Sequence, residues 1–282
     1  MSSPTGSHVV PGARLDIARA LLFVPGDRPE RFAKAAAAGA DLVVIDLEDA
    51  TAPEAKDDAR AHVVAYLDTA PRPASVAVRI NAADTPWHDA DVAALTGRDV
   101  AVMLPKAEAG AALGALAATG LPVVALVETA AGILEAREIA ATPGVRRLAL
   151  GPFDLASELG VDPADRDALR TARSLVVLAS VAAGLAGPID GPHAAIGDDA
   201  GLLDATLHAR RLGFAGKLCI HPSQVAGVLD AFRPSDEDVA WALEILAAMQ
   251  GREGVAQVDG AMVDKPVVDR ARRILADVKG RV

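Results

Sequence analysis

The chain has 282 residues, a formal net charge of −10 and one cysteine, Cys219. This charge would repel nucleic acid and an anionic membrane, so neither is an expected partner, and a lone cysteine leaves no internal disulfide and no Cys-based metal site. Hydrophobic residues make up 51% of the sequence and aromatic residues 3%, a composition that favours aliphatic helices packed on a buried parallel sheet.

Residues 1–18 precede the first apolar run, and the first twelve are rich in Ser, Pro and Gly. They show neither the basic nor the apolar segment of a signal peptide, so we expect a disordered or extended tail on a cytoplasmic protein. Residues 109–127 carry no charge, but the sequence Thr-Gly-Leu-Pro at residues 119–122 divides them. A helix, a turn and a strand explain this stretch better than a membrane span.

Short apolar runs bounded by Gly, Pro or charge recur along the chain, as expected for buried parallel strands. In chain order they span residues 20–26, 42–49, 75–81, 100–106, 122–129, 145–154, 187–192 and 215–222. Ala-rich stretches of helical character lie between them, so residues 19–232 are predicted to form a (β/α)8 TIM barrel. An open doubly wound sheet is the alternative, but its glycine-rich turn after the first strand is missing from residues 24–29, Val-Pro-Gly-Asp-Arg-Pro.

Residues 233–282 continue past the barrel. Ser235, followed by acidic residues, predicts the N-cap of a helix that runs to about Met249. Residues 251–264 then form an arm, and Pro266 marks the start of a last helix. We expect this C-terminal helical extension to cover the active site of a neighbouring subunit.

The carboxyl ends of TIM-barrel strands carry the active site, and three polar residues there suggest its chemistry. Glu128 and Asp154 end the fifth and sixth predicted strands, where a divalent cation with oxygen ligands, as Mg²⁺ prefers, would relieve their repulsion. Arg79 ends the third and has the planar fork that holds a carboxylate. The alternatives are structural ion pairs for each residue, with Lys106 as one partner. His221 is either a catalytic base or a hydrogen-bonded histidine at a strand end.

The chain resembles the HpcH/HpaI aldolase and citrate lyase β-subunit (CitE-like) family from residue 19 to residue 278. The resemblance is carried by ordered phrases: LFVPGDRP (22–29), DLEDA (46–50), VRIN (78–81), LPK (104–106), VETAAG (127–132), GPFDL (151–155), GKLCIHP (216–222) and DGAMVD (259–264). It implies a TIM barrel that acts on CoA thioesters and small α-keto acids as a homo-oligomer, with a trimer favoured.

The resemblance also implies roles for individual residues. The Mg²⁺ ligands of the family fall on Glu128 and Asp154, and its substrate-gripping arginine falls on Arg79. In the CoA lyases, an aspartate from a neighbouring subunit is the acid/base, and Asp264 occupies its place.

Four further residues are implied to bind the CoA thioester. Phe23 and Lys34 correspond to residues that seat CoA, and Ile189 and Asp190 to residues near its thioester end. The sequence departs from many relatives at Phe153, where a polar or acidic residue often stands, and at residues 191–195. Both departures fall near the expected acyl pocket, so they bear on substrate identity more than on metal binding.

The function expected from this resemblance is Mg²⁺-dependent carbon–carbon cleavage of a 3-hydroxyacyl-CoA, such as citryl-, citramalyl- or malyl-CoA, to an acyl-CoA and an α-keto acid. Three alternatives stay open. They are a malyl-type CoA thioesterase, a pyruvate-type aldolase that does not use CoA, and a citrate lyase β subunit that is active only in a complex.

Overall fold

The computed structural model describes residues 15–69, 75–250, 256–258 and 261–279. Eight parallel strands pair in chain order, and the last pairs with the first, so the sheet closes into a barrel. The strands are β1 (Ala20–Pro25), β2 (Leu42–Asp46), β3 (Val76–Arg79), β4 (Ala101–Leu104), β5 (Val123–Val127), β6 (Val145–Leu150), β7 (Ile189–Asp190) and β8 (Gly216–Cys219). The predicted (β/α)8 barrel is confirmed.

Helices follow the strands, as the alternating sequence pattern predicts. They are α1 (Phe32–Ala36), α2 (Lys56–Leu67), α3 (His88–Leu95), α4 (Ala111–Ala118), α5 (Ala130–Leu134), α6 (Ala136–Ala141), α7 (Pro152–Leu159), α8 (Arg170–Ala182), α9 (Asp199–Leu212) and α10 (Ser223–Ala231). Short 3-10 turns, Pro29–Arg31 and Pro53–Ala55, precede α1 and α2. Among the described residues, no helix is long and apolar enough to cross a membrane.

The sixth strand is shorter than its predicted span of residues 145–154. It ends at Leu150, and Pro152 opens α7, so Asp154 lies in the first turn of a helix rather than in a strand. The physical reason is that proline cannot donate to a sheet ladder but fits the first turn of a helix. The apolar run alone does not reveal this boundary.

Alternate residues of the strands fill the barrel interior, because successive side chains of a strand point to opposite faces. The interior cluster comprises Leu21, Leu42, Val44, Ala77, Ala101, Met103, Val124, Leu126, Ala149, Ile189 and Leu218, together with Leu15 and Ala18 from the segment before β1. This register decides which polar residues at the strand ends can reach the barrel axis.

The last residues of the predicted tail belong to the barrel. Leu15 and Ala18 are fully buried, and their carbonyl oxygens accept hydrogen bonds from Arg147. The expectation of a disordered or extended tail over residues 1–18 is therefore wrong for residues 15–18. Composition misled it, because the Ser-, Pro- and Gly-rich sequence ends at residue 12. Residues 1–14 lie outside the described part of the chain.

The chain divides into two compact units, residues 1–229 and 230–282. In the second, helix α11 (Asp236–Ala248) starts at Ser235, which forms a capping box with Asp238. An antiparallel hairpin of β9 (Ala256–Val258) and β10 (Ala261–Val263) leads to helix α12 (Lys265–Lys279). The small core of this second unit consists of Ala242, Ile245, Val263, Val268 and Ala271. The hairpin was not predicted, since its strands are only three residues long.

Candidate active site

Polar side chains lie next to the interior core, at the carboxyl ends of the strands. A step of two residues keeps a side chain on the same face of its strand. The step leads from Val44 to Asp46 on β2, from Ala77 to Arg79 on β3 and from Leu126 to Glu128 just past β5. These three residues therefore face the barrel axis, directly above the apolar layers.

Arg79 is held in place by two carboxylates. Its Nε and Nη2 donate to the two oxygens of Asp46 at 2.8 and 2.6 Å, and its Nη1 lies 3.0 Å from Glu48 Oε2. Its guanidinium also lies 4.9 Å from the ring centre of Phe23. Although burial alone would lower it, the hydrogen bonds and charge of Asp46 and the charge of Glu48 raise the pKa of Arg79 above its usual value.

The loop after β2 fixes these carboxylates. The oxygens of Asp46 accept hydrogen bonds from the backbone N–H groups of Glu48 and Ala50. The buried ammonium of Lys56 donates to the carbonyl oxygens of Leu47 and Glu48 at 2.9 and 3.1 Å. The loop is thus bonded from both sides, and Arg79 meets acceptors that are already positioned.

Lys106 links two of the acidic groups. Its Nζ donates to Glu48 Oε1 at 2.6 Å, and its backbone N–H donates to Glu128 Oε1 at 2.9 Å. Its φ is +47°, and no other non-glycine residue in the described part of the chain has a positive φ. A left-handed conformation is costly for a residue with a Cβ, so the contacts with Glu48 and Glu128 keep Lys106 in it.

Glu128 is a buried carboxylate that lacks a cationic hydrogen-bond partner among the described residues. Burial raises its pKa to about 8; the Lys106 N–H works against this rise, and the charges of Glu48 and Asp154 add to it. Gly151 makes room for the carboxylate, since a Cβ at that position would lie 2.2 Å from Glu128 Oε2. The site therefore accommodates a carboxylate whose charged form needs a further cation.

A cavity of about 450 Å³ opens above these residues; we call it the first cavity. Its polar lining residues are Asp46, Asp49, Arg79, Glu128 and Asp154. Its larger apolar lining residues are Phe23, Pro25, Leu126, Pro152, Phe153, Pro192, Leu218 and Ile220. A volume of this size and a mixed lining are typical of small-molecule sites.

The donor set fits a hard divalent cation. Glu128 and Asp154 supply only carboxylate oxygens to the first cavity, and the charge of Asp154 raises the pKa of Glu128 after the larger effect of burial. No group of three or more His, Cys, Asp or Glu side chains within the described residues could enclose a metal ion. A cation bound here would keep positions open for water or an oxygen-bearing ligand, which is the usual arrangement for Mg²⁺.

The other predicted site residues lie elsewhere. Lys34 is exposed on α1. Ile189 belongs to the interior core, so Asp190, the next residue on β7, points outward and pairs with Arg173 and Lys217. Neither Ile189 nor Asp190 lines the first cavity.

Asp264 belongs to the second unit. Its Oδ1 accepts a hydrogen bond from the backbone N–H of Val267 at 3.3 Å, so the carboxylate caps the start of α12. It is half-buried.

The sequence alone assigns no role to Asp46 or Glu48 and offers Lys106 only as a possible ion-pair partner. The structure makes them the support of Arg79 and Glu128. The residue alternation of β2 indicates this role, because Asp46 follows Leu42 and Val44 at intervals of two residues and so lies on the same interior face.

Cys219 and His221 both have structural surroundings. Cys219 is buried, and burial raises the pKa of its thiol to about 12, which makes it inert as a nucleophile. His221 is exposed, and its Nδ1 lies 2.8 Å from Ser223 Oγ.

The fold and site define a TIM barrel with carboxylates and an arginine around an axial cavity. The family model for HpcH/HpaI aldolase/citrate lyase matches residues 19–222, and the chain belongs to that family. A citrate lyase subunit beta-like protein of Mycobacterium tuberculosis is 44% identical over 261 residues, covering 90% of this chain and 93% of the relative. A (3S)-malyl-CoA thioesterase of Cereibacter sphaeroides is 38% identical over 267 residues, covering 92% of this chain and 93% of the relative.

A solved structure supports the same relationship. The chain is similar to the CitE protein of Mycobacterium tuberculosis in complex with magnesium, acetoacetate and coenzyme A, with a TM-score of 0.83 and 41% identity. The match covers 94% of this chain and 99% of the CitE chain. Magnesium and CoA, both predicted from the resemblance, are thus ligands of a close structural neighbour.

Proposed function

We propose that the protein is a Mg²⁺-dependent carbon–carbon lyase that cleaves a 3-hydroxyacyl-CoA of the malyl, citramalyl or citryl type. The observation that carries the proposal is the pairing, in one cavity, of a fixed cation, Arg79, with two carboxylates, Glu128 and Asp154. Such a site recognises a ligand that has a carboxylate and a further oxygen close to it. The products of cleavage would be an acyl-CoA and an α-keto acid.

Glu128 and Asp154 are the proposed metal ligands. Bound Mg²⁺ would supply Lewis-acid chemistry, lowering the pKa of a coordinated hydroxyl group. The elevated pKa of Glu128 supports this role, because a cation is needed to hold its carboxylate ionised at neutral pH.

Arg79 is the proposed binding group for the substrate carboxylate. Two of its five N–H groups donate to Asp46 and one on Nη1 faces Glu48, which leaves two for a ligand. Asp46 and Phe23 hold the guanidinium plane in one orientation, so a planar carboxylate meets donors that are already aligned. This orientation lowers the entropic cost of binding.

In the cleavage step the substrate hydroxyl loses its proton and the bond between the hydroxyl-bearing carbon and the carbon beside the thioester breaks. The carbon beside the thioester must then take up a proton. We propose Asp264 of a neighbouring copy as the donor, in a homo-oligomer such as a trimer. Phe23, Lys34, Ile189 and Asp190 stay proposed CoA contacts, Phe23 with the strongest support because it lines the first cavity.

Hydrolysis of the same thioester is a second candidate. The 38% identity to a protein named (3S)-malyl-CoA thioesterase favours it. The two reactions share substrate binding by Arg79 and the metal and differ in which bond breaks. Hydrolysis releases free CoA and a hydroxy acid, whereas cleavage releases an acyl-CoA and a keto acid.

The test is to incubate the isolated chain with malyl-, citramalyl- and citryl-CoA, with Mg²⁺ or with EDTA, and to identify both products. Keto acid that forms only with Mg²⁺ supports the lyase. Equal amounts of free thiol and hydroxy acid would support the thioesterase instead. No reaction with any of the three would contradict both, and the citrate lyase β subunit, active only with its partners, would then be tested.

A further inference from the structure

Two chains of contacts connect Arg79 to helix α2, through the loops that follow β2 and β3. Lys56 and Arg60 are four residues apart on α2, so their side chains lie on the same face of the helix. Lys56 contacts the loop after β2, and Arg60 contacts Asp91, which holds the loop after β3. Neither Lys56 nor Arg60 lines the first cavity, so an effect of either residue on a ligand there must pass through a neighbour.

The first connection runs from Lys56 through the loop after β2. Lys56 is only 6% exposed, and its ammonium donates to the carbonyl oxygens of Leu47 and Glu48. The ammonium also lies 5.0 Å from the ring centre of Trp87, the residue before α3. The carboxylate of Glu48 in turn lies 3.0 Å from Arg79 Nη1. Because Lys56 fixes the backbone of Glu48, it limits where this partner of Arg79 can lie.

The second connection runs from Arg60 through Asp91. Arg60 Nε donates to Asp91 Oδ1 at 2.7 Å, and Asp91 is fully buried. Asp91 Oδ2 accepts hydrogen bonds from the backbone N–H and the side-chain amide of Asn81, at 2.9 and 2.7 Å. The carbonyl oxygen of Asn81 lies 2.9 Å from His88 Nδ1. Since Asn81 follows Arg79 by two residues, these contacts fix the chain just beyond Arg79.

The two connections converge on the residues that border Arg79. Glu48 lies beside its Nη1, and Asn81 continues its strand. The burial of Lys56 and Asp91 takes charged groups out of water, at a cost in desolvation that apolar side chains would not have. The arrangement instead gives Arg79 a fixed orientation, and donors that are already aligned lose less entropy when a ligand binds.

We propose that Lys56 and Arg60 are positioning residues, which orient the guanidinium of Arg79 for the carboxylate of the ligand without touching the ligand themselves. The inference rests on the proposed function, in which Arg79 binds that carboxylate. It goes further, because it makes carboxylate binding depend on a face of α2 outside the cavity. Glu128 and Asp154, the proposed metal ligands, belong to neither connection, so binding of a metal ion alone should not depend on α2.

The experiment is calorimetric titration of the full chain, first with Mn²⁺ and then with pyruvate at saturating Mn²⁺. Lys56→Met and Arg60→Met each remove one cation at similar length. Each should weaken pyruvate binding about tenfold and change Mn²⁺ binding less than about twofold. Arg98→Met is the matched control. Arg98 also donates to a backbone carbonyl oxygen and pairs with Asp68, but at the opposite ends of α2 and α3, so this variant should bind both ligands as the unaltered chain does.

An Arg79→Met background separates a positioning role from a general loss of structure. If Lys56 acts through Arg79, adding Lys56→Met to Arg79→Met should weaken pyruvate binding by less than about a further twofold. An equal loss in both backgrounds, or a matching loss of Mn²⁺ binding, would overturn the inference. So would unchanged pyruvate binding in Lys56→Met and Arg60→Met.

If Lys56→Met does not fold, the same comparison with Arg60→Met decides. The failure of the proposed function would look different. The unaltered chain would then bind no pyruvate, or Arg79→Met would bind it unchanged, and either result would remove the inference together with the proposed role of Arg79.

Discussion

Two arginines point into the barrel, one at each end, and their surroundings are opposite. Arg79, at the carboxyl ends of the strands, is paired with Asp46 and Glu48, which raise its pKa above its usual value despite burial. Arg147, at the amino ends, is fully buried, and burial lowers its pKa to about 10. It donates to the backbone carbonyl oxygens of Leu15, Ala18 and Gly187.

The two ends of the barrel therefore have different roles. Carbonyl oxygens accept from Nε and Nη1 of Arg147 without offering a counter-charge, and Nη2 has no hydrogen-bond partner among the described residues. Arg147 therefore closes the amino end and joins three chain segments. The carboxylates around Arg79 keep a full charge beside an open cavity. In TIM barrels, residues at the amino ends of the strands usually serve stability, and residues at the carboxyl ends carry the chemistry.

The largest effect is expected from Glu128→Gln at the carboxyl end. The amide keeps the shape but cannot supply the charge that a metal ion requires, so keto-acid formation should fall about 10³-fold or more. Thermal stability without metal should not fall, because a buried carboxylate near Glu48 and Asp154 is removed. The control is Glu138→Gln, an exposed residue on α6. Wild-type turnover in Glu128→Gln would remove this residue from the mechanism.

Arg147→Met at the amino end should lower stability and leave activity unchanged. It leaves three carbonyl oxygens without their donor, so the free energy of unfolding should fall by about 3 kcal/mol. Turnover per folded molecule should not change. Arg146→Met is the matched control, because Arg146 is a surface residue paired with Asp16. This substitution should cost less than about 1 kcal/mol. Equal losses in the two variants, measured by urea unfolding, would refute the assigned role.

A pH series without metal should sharpen the contrast. The pKa of Glu128 is about 8 in the fold and 4.5 without its surroundings, so the folded chain holds its proton more tightly. This stabilisation is complete below pH 4.5 and is lost as pH rises through about 8, lowering the melting temperature by about 5 °C. Glu128→Gln should remove that component and Glu138→Gln should keep it. An unchanged pH profile in Glu128→Gln would mean that another group titrates.

The smallest effect concerns the strained backbone of Lys106. Lys106→Gly and Lys106→Val both remove the ammonium group beside Glu48, but only glycine adopts the observed φ of +47° without strain. The valine variant should therefore be less stable than the glycine variant by about 1–2 kcal/mol. Denaturant midpoints measure the difference. Equal midpoints would show that the loop relaxes to another conformation.

The sequence predicts the barrel well, because eight apolar runs alternate with helical stretches and each run contains a strand. Its limits are local. The rule that strand ends carry the site does not say which face of the sheet a residue takes. Asp190 and Arg79 both end strands, but they face opposite sides of the sheet, because Ile189 is the residue of β7 that faces inward. The ion pairs of Arg79 depend on the register of β2 beside β3, which pattern alone does not fix.

The decisive experiment is to diffuse Mn²⁺ and pyruvate into crystals of the protein and to record the anomalous scattering of the metal. We expect one strong peak between the carboxylates of Glu128 and Asp154, with the carboxylate of pyruvate within hydrogen-bond distance of Arg79. A peak elsewhere, or pyruvate bound away from Arg79, would overturn the proposed roles of these three residues.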